Sequence, residues 1–404
     1  METHGLEQVS FKDKADIYVV NSCSVTENAD KEARKLIRRA RRCNPDAAVA
    51  VIGCYAQLQP DEIADIPGVE LVVGAAEKFN LFAHLSAMKA NGKPTVIQSP
   101  IETVQSFQPS FSVSERTRTY LKIQDGCNYN CSFCTIPLAR GRSRSDIIAS
   151  TVNIAQKIAD TESREIVLTG VNIGDYGVDN DEDFFQLIQA LDKIDGIDRF
   201  RISSIEPNLL NDEIITFCAH SNKFVPHFHI PLQSGADSIL RRMKRRYDTA
   251  LYSSKIEQIK NLMPDCCIGV DVIVGFPGEG EGDFLTTQSF LDSLDISYLH
   301  VFTFSKRVNT TAANLDNQVP HDEKAYRSKT LHRLSDEKRY AFQNKFLTQV
   351  RPVLFERSVN GMSQGYTDNY IRIQLAGEMN YENRLLEVTL NKNHGSYMSG
   401  VIKH

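Results

Sequence analysis

Cys127, Cys131 and Cys134 stand within eight residues, spaced C-x3-C-x2-C, directly after Gly126. Three thiolates can hold three irons of a cubane iron–sulfur cluster and leave the fourth iron open to another molecule. Structural zinc ordinarily takes four protein ligands, often as two separated CxxC pairs, and no second CxxC occurs here. The same spacing also places three side chains on one helix face, so a stripe of core cysteines is the alternative. Asn128, Asn130 and Ser132 between them favour a polar loop. Two more cysteines, Cys23 and Cys54, each end a short apolar run. The odd count of nine in a chain of 404 residues argues against a disulfide-stapled fold and for a reducing compartment.

Strands and helices must hold these residues. Asp16 to Cys23 and Ala47 to Cys54 read as strands, with a helix over Asn28 to Arg42 between them. Ala33, Leu36, Ile37 and Ala40 recur at helical spacing, with Asn28 or Asp30 as cap, and Cys43-Asn44-Pro45 ends the helix. Val69 to Val73 is a third strand. This rhythm implies a parallel α/β sheet, with Cys23 and Cys54 at its carboxyl edge. Asn91 to Arg118, with Pro94, Pro100 and Pro109, reads as a linker.

A second α/β series follows, with strands at Tyr120–Gln124, Glu165–Thr169, Arg199–Ser203, Pro226–Leu232, Cys267–Gly275 and Ser297–Phe304. Helices at Asp183–Asp192 and Thr249–Leu262 are among those between them. Six such strands make a parallel sheet curved as part of a barrel. A polar or glycine-rich cluster ends each strand, which puts the unusual residues at one mouth. Lys324 to Val350 reads as a charged helix, and the alternating runs from Arg351 onward as a small β domain. Gly278, Gly280 and Gly282 lack dinucleotide-loop spacing and read as a tight turn.

Composition narrows the class. Hydrophobic residues make up 41% and charged residues 24%, and the net charge is -5. No apolar run has membrane-helix length, and the start, Met1-Glu2-Thr3-His4, is polar, so a cytoplasmic protein is expected. Against the acidic balance stand three basic clusters. Lys31, Arg34, Lys35, Arg38, Arg39, Arg41 and Arg42 crowd one helix, Arg140, Arg142 and Arg144 form a second cluster, and Arg241 to Arg246 a third. Focused positive charge suits phosphates.

CxxxCxxC after the first barrel strand resembles the radical S-adenosylmethionine (SAM) superfamily. The stretches YLKIQDGCNYNCSFCTIPLARGRSRS (120–145), RISSIEP (201–207), HIPLQSG (229–235), RRMKRRY (241–247) and DVIVGFPGE (271–279) resemble the methylthiotransferase family. Asn21 to Thr26 (NSCSVT), Gly53 to Gln57 (GCYAQ) and Thr169 to Gly174 (TGVNIG) are most similar to its tRNA N6-threonylcarbamoyladenosine subgroup. The resemblance implies an α/β fold of three domains. These are an N-terminal methylthiotransferase domain (1–105), a partial (β/α)6 radical SAM core (113–340) and a TRAM-like RNA-binding domain (341–404).

The implied activity is methylthio insertion at C2 of N6-threonylcarbamoyladenosine at position 37, beside the anticodon of ANN-decoding tRNA. One SAM supplies the methyl group to cluster-associated sulfur, and a second yields the radical that takes the C2 hydrogen. Cys127, Cys131 and Cys134 match the ligands of the SAM-cleaving 4Fe–4S cluster. Cys23 and Cys54 match two of three ligands of an auxiliary 4Fe–4S cluster. The first of the three belongs to an opening Gly-Cys strand without a counterpart here, so this second cluster is expected to be incomplete, by a shortened start or a real loss. Cys43 is a possible substitute, though it reads better as a helix end.

SAM contacts are implied for Gly170, Val171, Asn172, Ser203, Ser204, Glu206, His229, Gln233 and Arg245, and tRNA contacts for Arg38, Arg39, Arg42, Arg140, Arg142 and Arg144. A sulfur donor and a flavodoxin- or ferredoxin-type electron donor complete the implied partners. Two positions depart from the family pattern: Asp146, where arginine commonly stands, and Val308-Asn309-Thr310 in place of Pro-Gly-Thr. The alternatives are the same chemistry on N6-isopentenyladenosine or on a ribosomal-protein aspartate, and, in another class, a non-catalytic metal-bound RNA-binding module.

Overall fold

The computed structural model describes residues 5–87, 93–112, 117–377 and 379–403. The polar start Met1–His4 and the beginning of the expected core at residue 113 lie outside them. The chain divides into two compact units. The first comprises residues 1–106, 126–142 and 305–314, and the second residues 107–125, 143–304 and 315–404.

The first unit is built on a parallel sheet of β1 (Ile17–Ser22), β2 (Ala48–Gly53), β3 (Val69–Val73) and β4 (Thr95–Ile97), in that order. Ser22 pairs with Gly53, so Cys23 and Cys54 leave the sheet at matching carboxyl ends. The helix Glu27–Cys43 buries Ala33, Ile37 and Ala40 against the sheet. Its cap is Thr26, whose side chain accepts the Ala29 N–H, rather than Asn28 or Asp30. β4 falls inside the expected linker, where three residues directly after Pro94 give too short a pattern to read.

The second unit contains β5 (Ser110–Phe111), β6 (Arg118–Lys122), β7 (Gln124–Asp125), β8 (Arg144–Ser145), β9 (Glu165–Thr169), β10 (Arg199–Ile202), β11 (His227–His229), β12 (Cys267–Val274) and β13 (Tyr298–Thr303). β6, β9 and β10 pair in parallel, as do β11, β12 and β13, and a parallel bridge from Phe200 to Phe224 links the two groups. The six expected barrel strands are therefore present, shifted by a few residues at their ends. β5 adds antiparallel to β6, again within the expected linker. Helices such as Ile148–Ala159, Phe184–Leu191 and Thr249–Leu262 cover one face, and Ile166, Leu168, Phe200, Phe228, Ile268 and Val270 bury there. Each such side chain contributes roughly 1.5–3 kcal/mol on burial.

The charged helix runs His321–Asn344. Beyond it β14 (Val350–Val359), β15 (Met362–Thr367), β16 (Arg372–Ala376), β17 (Leu385–Asn393) and β18 (Met398–Ile402) close into a small barrel. Buried ions dock this barrel on the amino ends of the core strands. Arg199 donates to the carbonyls of Pro352 (2.7 Å) and Tyr366 (3.2 Å), and Arg201 to that of Asp368 (3.2 Å). Glu165, fully buried, pairs with Arg201 at 2.8 Å. Burial pushes the Glu165 carboxyl up, but Arg201, with Arg118 and Arg199, holds it below its usual range.

Candidate iron–sulfur and SAM sites

In the first unit, Cys127 to Cys134 form no helix, which removes the core-stripe alternative. Gly126 opens the loop at φ +73, and a side chain there would run into the carbonyl of Arg142. The loop turns its own amides onto the sulfurs. Tyr129 N–H donates to Cys127 Sγ and Ile136 N–H to Cys134 Sγ, both at 3.4 Å. Three thiols in an irregular loop, two of them accepting amide hydrogen bonds, fit the donor set that a cubane cluster with one open iron requires.

Cys54 follows Gly53, whose φ of +100 lets the chain turn against Ser22 where a side chain would clash. Its sulfur accepts a bond from Arg140 Nε at 3.4 Å, and Arg140 ends the helix Ile136–Arg140 of the cysteine loop. Cys23 is exposed, and its neighbour Ser24 is fixed from three sides. Ser24 Oγ donates to Asp30 Oδ1 (2.8 Å), Arg307 Nη2 donates to Ser24 Oγ and to Asp30 Oδ2 (2.6 Å each), and Thr135 Oγ1 reaches the Ser24 carbonyl (3.5 Å). Ala312 N–H donates to the Ser132 carbonyl at 2.7 Å. Segments distant in sequence thus gather both cysteine sets into one compact unit. Asn309 adopts φ +66, a left-handed conformation that asparagine accepts in place of glycine, which accounts for one departure from the family pattern. Cys43 lies at the opposite end of a 17-residue helix, about 25 Å along its axis, and does not join Cys23 and Cys54.

In the second unit, Gln124 Oε1 accepts the N–H groups of Val171 (2.9 Å) and Asn172 (2.8 Å) after β9. Asn172 donates to Asp175 at 2.8 Å, and its side-chain Oδ1 is buried without a partner, an acceptor suited to an ammonium group such as that of methionine. Gly170 precedes them. Ser203 and Ser204 are half-buried after β10. Glu206 pairs with Arg245, which also donates to Tyr247 Oη at 3.1 Å. Burial raises the Glu206 carboxyl, against the pull of Arg245. Gln233, at φ +69, donates to the Asp271 carbonyl (2.8 Å), carrying the chain after β11 along β12. His229 Nε2 lies 2.9 Å from Asp271 Oδ1, and His300 Nδ1 lies 3.3 Å from the same oxygen. Sequence reasoning passed over Asp271, His300 and Arg307. For the first two, a single charged or imidazole side chain inside an otherwise apolar strand was the available signal.

The arginines expected at tRNA separate by burial. Arg38 and Arg42 are exposed, and with Lys35 and Arg41 they line an open groove of about 800 Å³ that Glu62 and Asp65 also border. Arg39 is half-buried near the ring of Phe11, and Arg142 is exposed. Arg144 is buried, 3.4 Å from Asp125, and Arg140, half-buried, donates to Cys54 Sγ.

Residues 121–291 match the model of the Radical SAM superfamily, and residues 1–74 that of the Uncharacterized protein family UPF0004. Among solved structures, a radical S-adenosylmethionine methyltransferase of Kitasatospora setae, with cobalamin and a 4Fe–4S cluster bound, shares the fold. Its TM-score is 0.55 at 15% identity, over 75% of this chain and 66% of that one. The threonylcarbamoyladenosine tRNA methylthiotransferase of Bacillus subtilis is 39% identical, over 98% of this chain and 90% of that protein. The one of Aquifex aeolicus is 37% identical, over 92% and 90%. A tRNA-2-methylthio-N(6)-dimethylallyladenosine synthase of Hydrogenobaculum is 28% identical, over 100% and 94%. The chain belongs to the radical SAM tRNA methylthiotransferase family, in which relatives named for threonylcarbamoyladenosine share 31 to 39% of its residues. Among the described residues no helix is long and apolar enough to cross a membrane.

Proposed function

We propose that this enzyme replaces the C2 hydrogen of N6-threonylcarbamoyladenosine at position 37 of tRNA with a methylthio group, in the cytoplasm. The observation that carries this is the gathering of Cys23, Cys54, Cys127, Cys131 and Cys134 in one compact unit, with Arg140 of the cysteine loop bonded to Cys54. Cys127, Cys131 and Cys134 would hold the SAM-cleaving 4Fe–4S cluster, and Cys23 and Cys54 would serve the auxiliary one. When bound, these groups supply the electron that cleaves SAM to methionine and a 5′-deoxyadenosyl fragment, and the sulfur that becomes bonded to C2.

The chain's own residues do the rest. Asn172 Oδ1 accepts from the methionine ammonium, with Gly170 and Val171 shaping that turn. Ser203, Ser204 and Gln233 offer hydroxyl and amide groups to the ribose and carboxylate. Glu206 and Arg245 neutralise one another and keep that wall rigid. Arg38, Arg39, Arg42 and Arg142 hold the phosphates of the anticodon region, and an unpaired loop base is a target that proteins can splay out and grip. Three functional parts follow: 1–105 for the auxiliary cluster, 113–340 for radical chemistry and 341–404 for RNA. A sulfur donor and a flavodoxin- or ferredoxin-type reductant feed the cycle.

The test is nucleoside mass spectrometry after anaerobic incubation of the reconstituted enzyme with SAM, reductant and tRNA carrying either modified adenosine. Gain of the methylthio form on threonylcarbamoyladenosine is expected. Gain only on isopentenyladenosine would move the substrate to the sister branch of the family.

A further inference from the structure

The inner face of β11–β13 carries His227, His229, Asp271 and His300, where the outer face is largely apolar. Asp271 is paired in register with His300, and His229 with Gly269 two residues before Asp271, so the three side chains share that face. Ile268, Val270, Val272 and Leu299 point the other way and are buried. Toward the amino ends, the inner face is sealed by Glu165, Arg201 and His227, all buried, under the small C-terminal barrel. Moving toward the carboxyl ends, Asp271, His229 and His300 are the next polar layer. They are accessible, with side-chain exposures of 21%, 14% and 51%.

One carboxylate oxygen, Asp271 Oδ1, engages both imidazoles. This orients the rings and leaves His229 Nδ1 and His300 Nε2 for a ligand. The two imidazoles hold the Asp271 carboxyl down at about 2 against the effect of burial, so it stays an anion that steers them.

We propose that His300 and His229, steered by Asp271, recognise the polar substituent on N6 of the substrate adenosine. This rests on the substrate proposed above. N6 and C2 lie on the same edge of adenine, on either side of N1, so a base offered by its C2 carries its N6 substituent alongside. A threonylcarbamoyl group brings a hydroxyl and urea N–H groups, which donate to the ring nitrogens that Asp271 leaves as acceptors. A dimethylallyl group brings only hydrocarbon and would leave both imidazoles without partners, and a site built to bond a polar substituent rejects the analogue lacking it. His229 then faces the substrate rather than SAM.

The test is binding of anticodon stem-loops carrying threonylcarbamoyladenosine or plain adenosine to the reconstituted holoenzyme, read by fluorescence anisotropy. Wild type should prefer the modified loop by about tenfold, the scale of one or two neutral hydrogen bonds to a site that would otherwise hold unpaired acceptors. His300→Leu should collapse that ratio toward one, and His300→Gln, which keeps a donor and an acceptor, should restore part of it. A wild type that binds both loops equally, or a His300→Leu variant that keeps the preference, would overturn the inference. Mass spectrometry on wild type separates the two proposals. If threonylcarbamoyladenosine is methylthiolated while His300→Leu keeps the preference, this inference alone falls. If only isopentenyladenosine is modified, the substrate itself was misassigned.

Discussion

The cysteines of the two units differ in what faces their sulfur atoms. The first unit holds Cys23, Cys43, Cys54, Cys127, Cys131 and Cys134, five of them at strand ends or in an irregular loop. The second holds Cys218, Cys266 and Cys267, all buried in apolar packing. Burial pushes those three thiols up, Cys267 to about 11, so they stay protonated and inert. In the first unit, Tyr129, Ile136 and Arg140 aim N–H groups at the sulfurs of Cys127, Cys134 and Cys54. One residue type thus meets N–H donors in one unit and apolar packing in the other. The second unit reserves its polar inner face for binding instead.

Breaking this contrast should have graded effects. Cys127→Ala, Cys131→Ala or Cys134→Ala should each take 5′-deoxyadenosine release to background by chromatographic assay, and undiminished release would remove these residues as ligands. Cys54→Ala should abolish the methylthio nucleoside yet leave SAM cleavage measurable, separating the two cysteine sets. Joint reversal of Arg38 and Arg42 to Glu should weaken tRNA binding about tenfold near physiological salt and flatten its salt dependence; an unaltered slope would exclude that groove. Cys266→Ala should cost only about 1–2 kcal/mol in urea unfolding, with iron content unchanged. A loss of iron in that variant would erase the distinction between the units.

The barrel strands and the C-x3-C-x2-C loop were legible because apolar runs such as Glu165–Thr169 and Cys267–Val274 are long and end in polar clusters. β4 and β5 were not, because strands of three and two residues among prolines carry no period. Arg144 is an arginine in a basic cluster by sequence, and only the fold shows it buried beside Asp125. The Arg307–Asp30 pair joins residues 277 apart, beyond the reach of any local pattern. Asp271 and His300 sit within apolar strands, and their meaning emerges only when three strands align in register.

The central claim is that this chain opens the C2–H bond of a modified tRNA adenosine and closes a C–S bond in its place. It is tested most directly with tRNA whose threonylcarbamoyladenosine carries deuterium at C2. Mass spectrometry of the nucleoside and of 5′-deoxyadenosine after turnover should show loss of that deuterium from the methylthiolated base and one deuterium gained by 5′-deoxyadenosine. Methylthio product with no deuterium in 5′-deoxyadenosine, or labelled base recovered intact beside abundant 5′-deoxyadenosine, would contradict it.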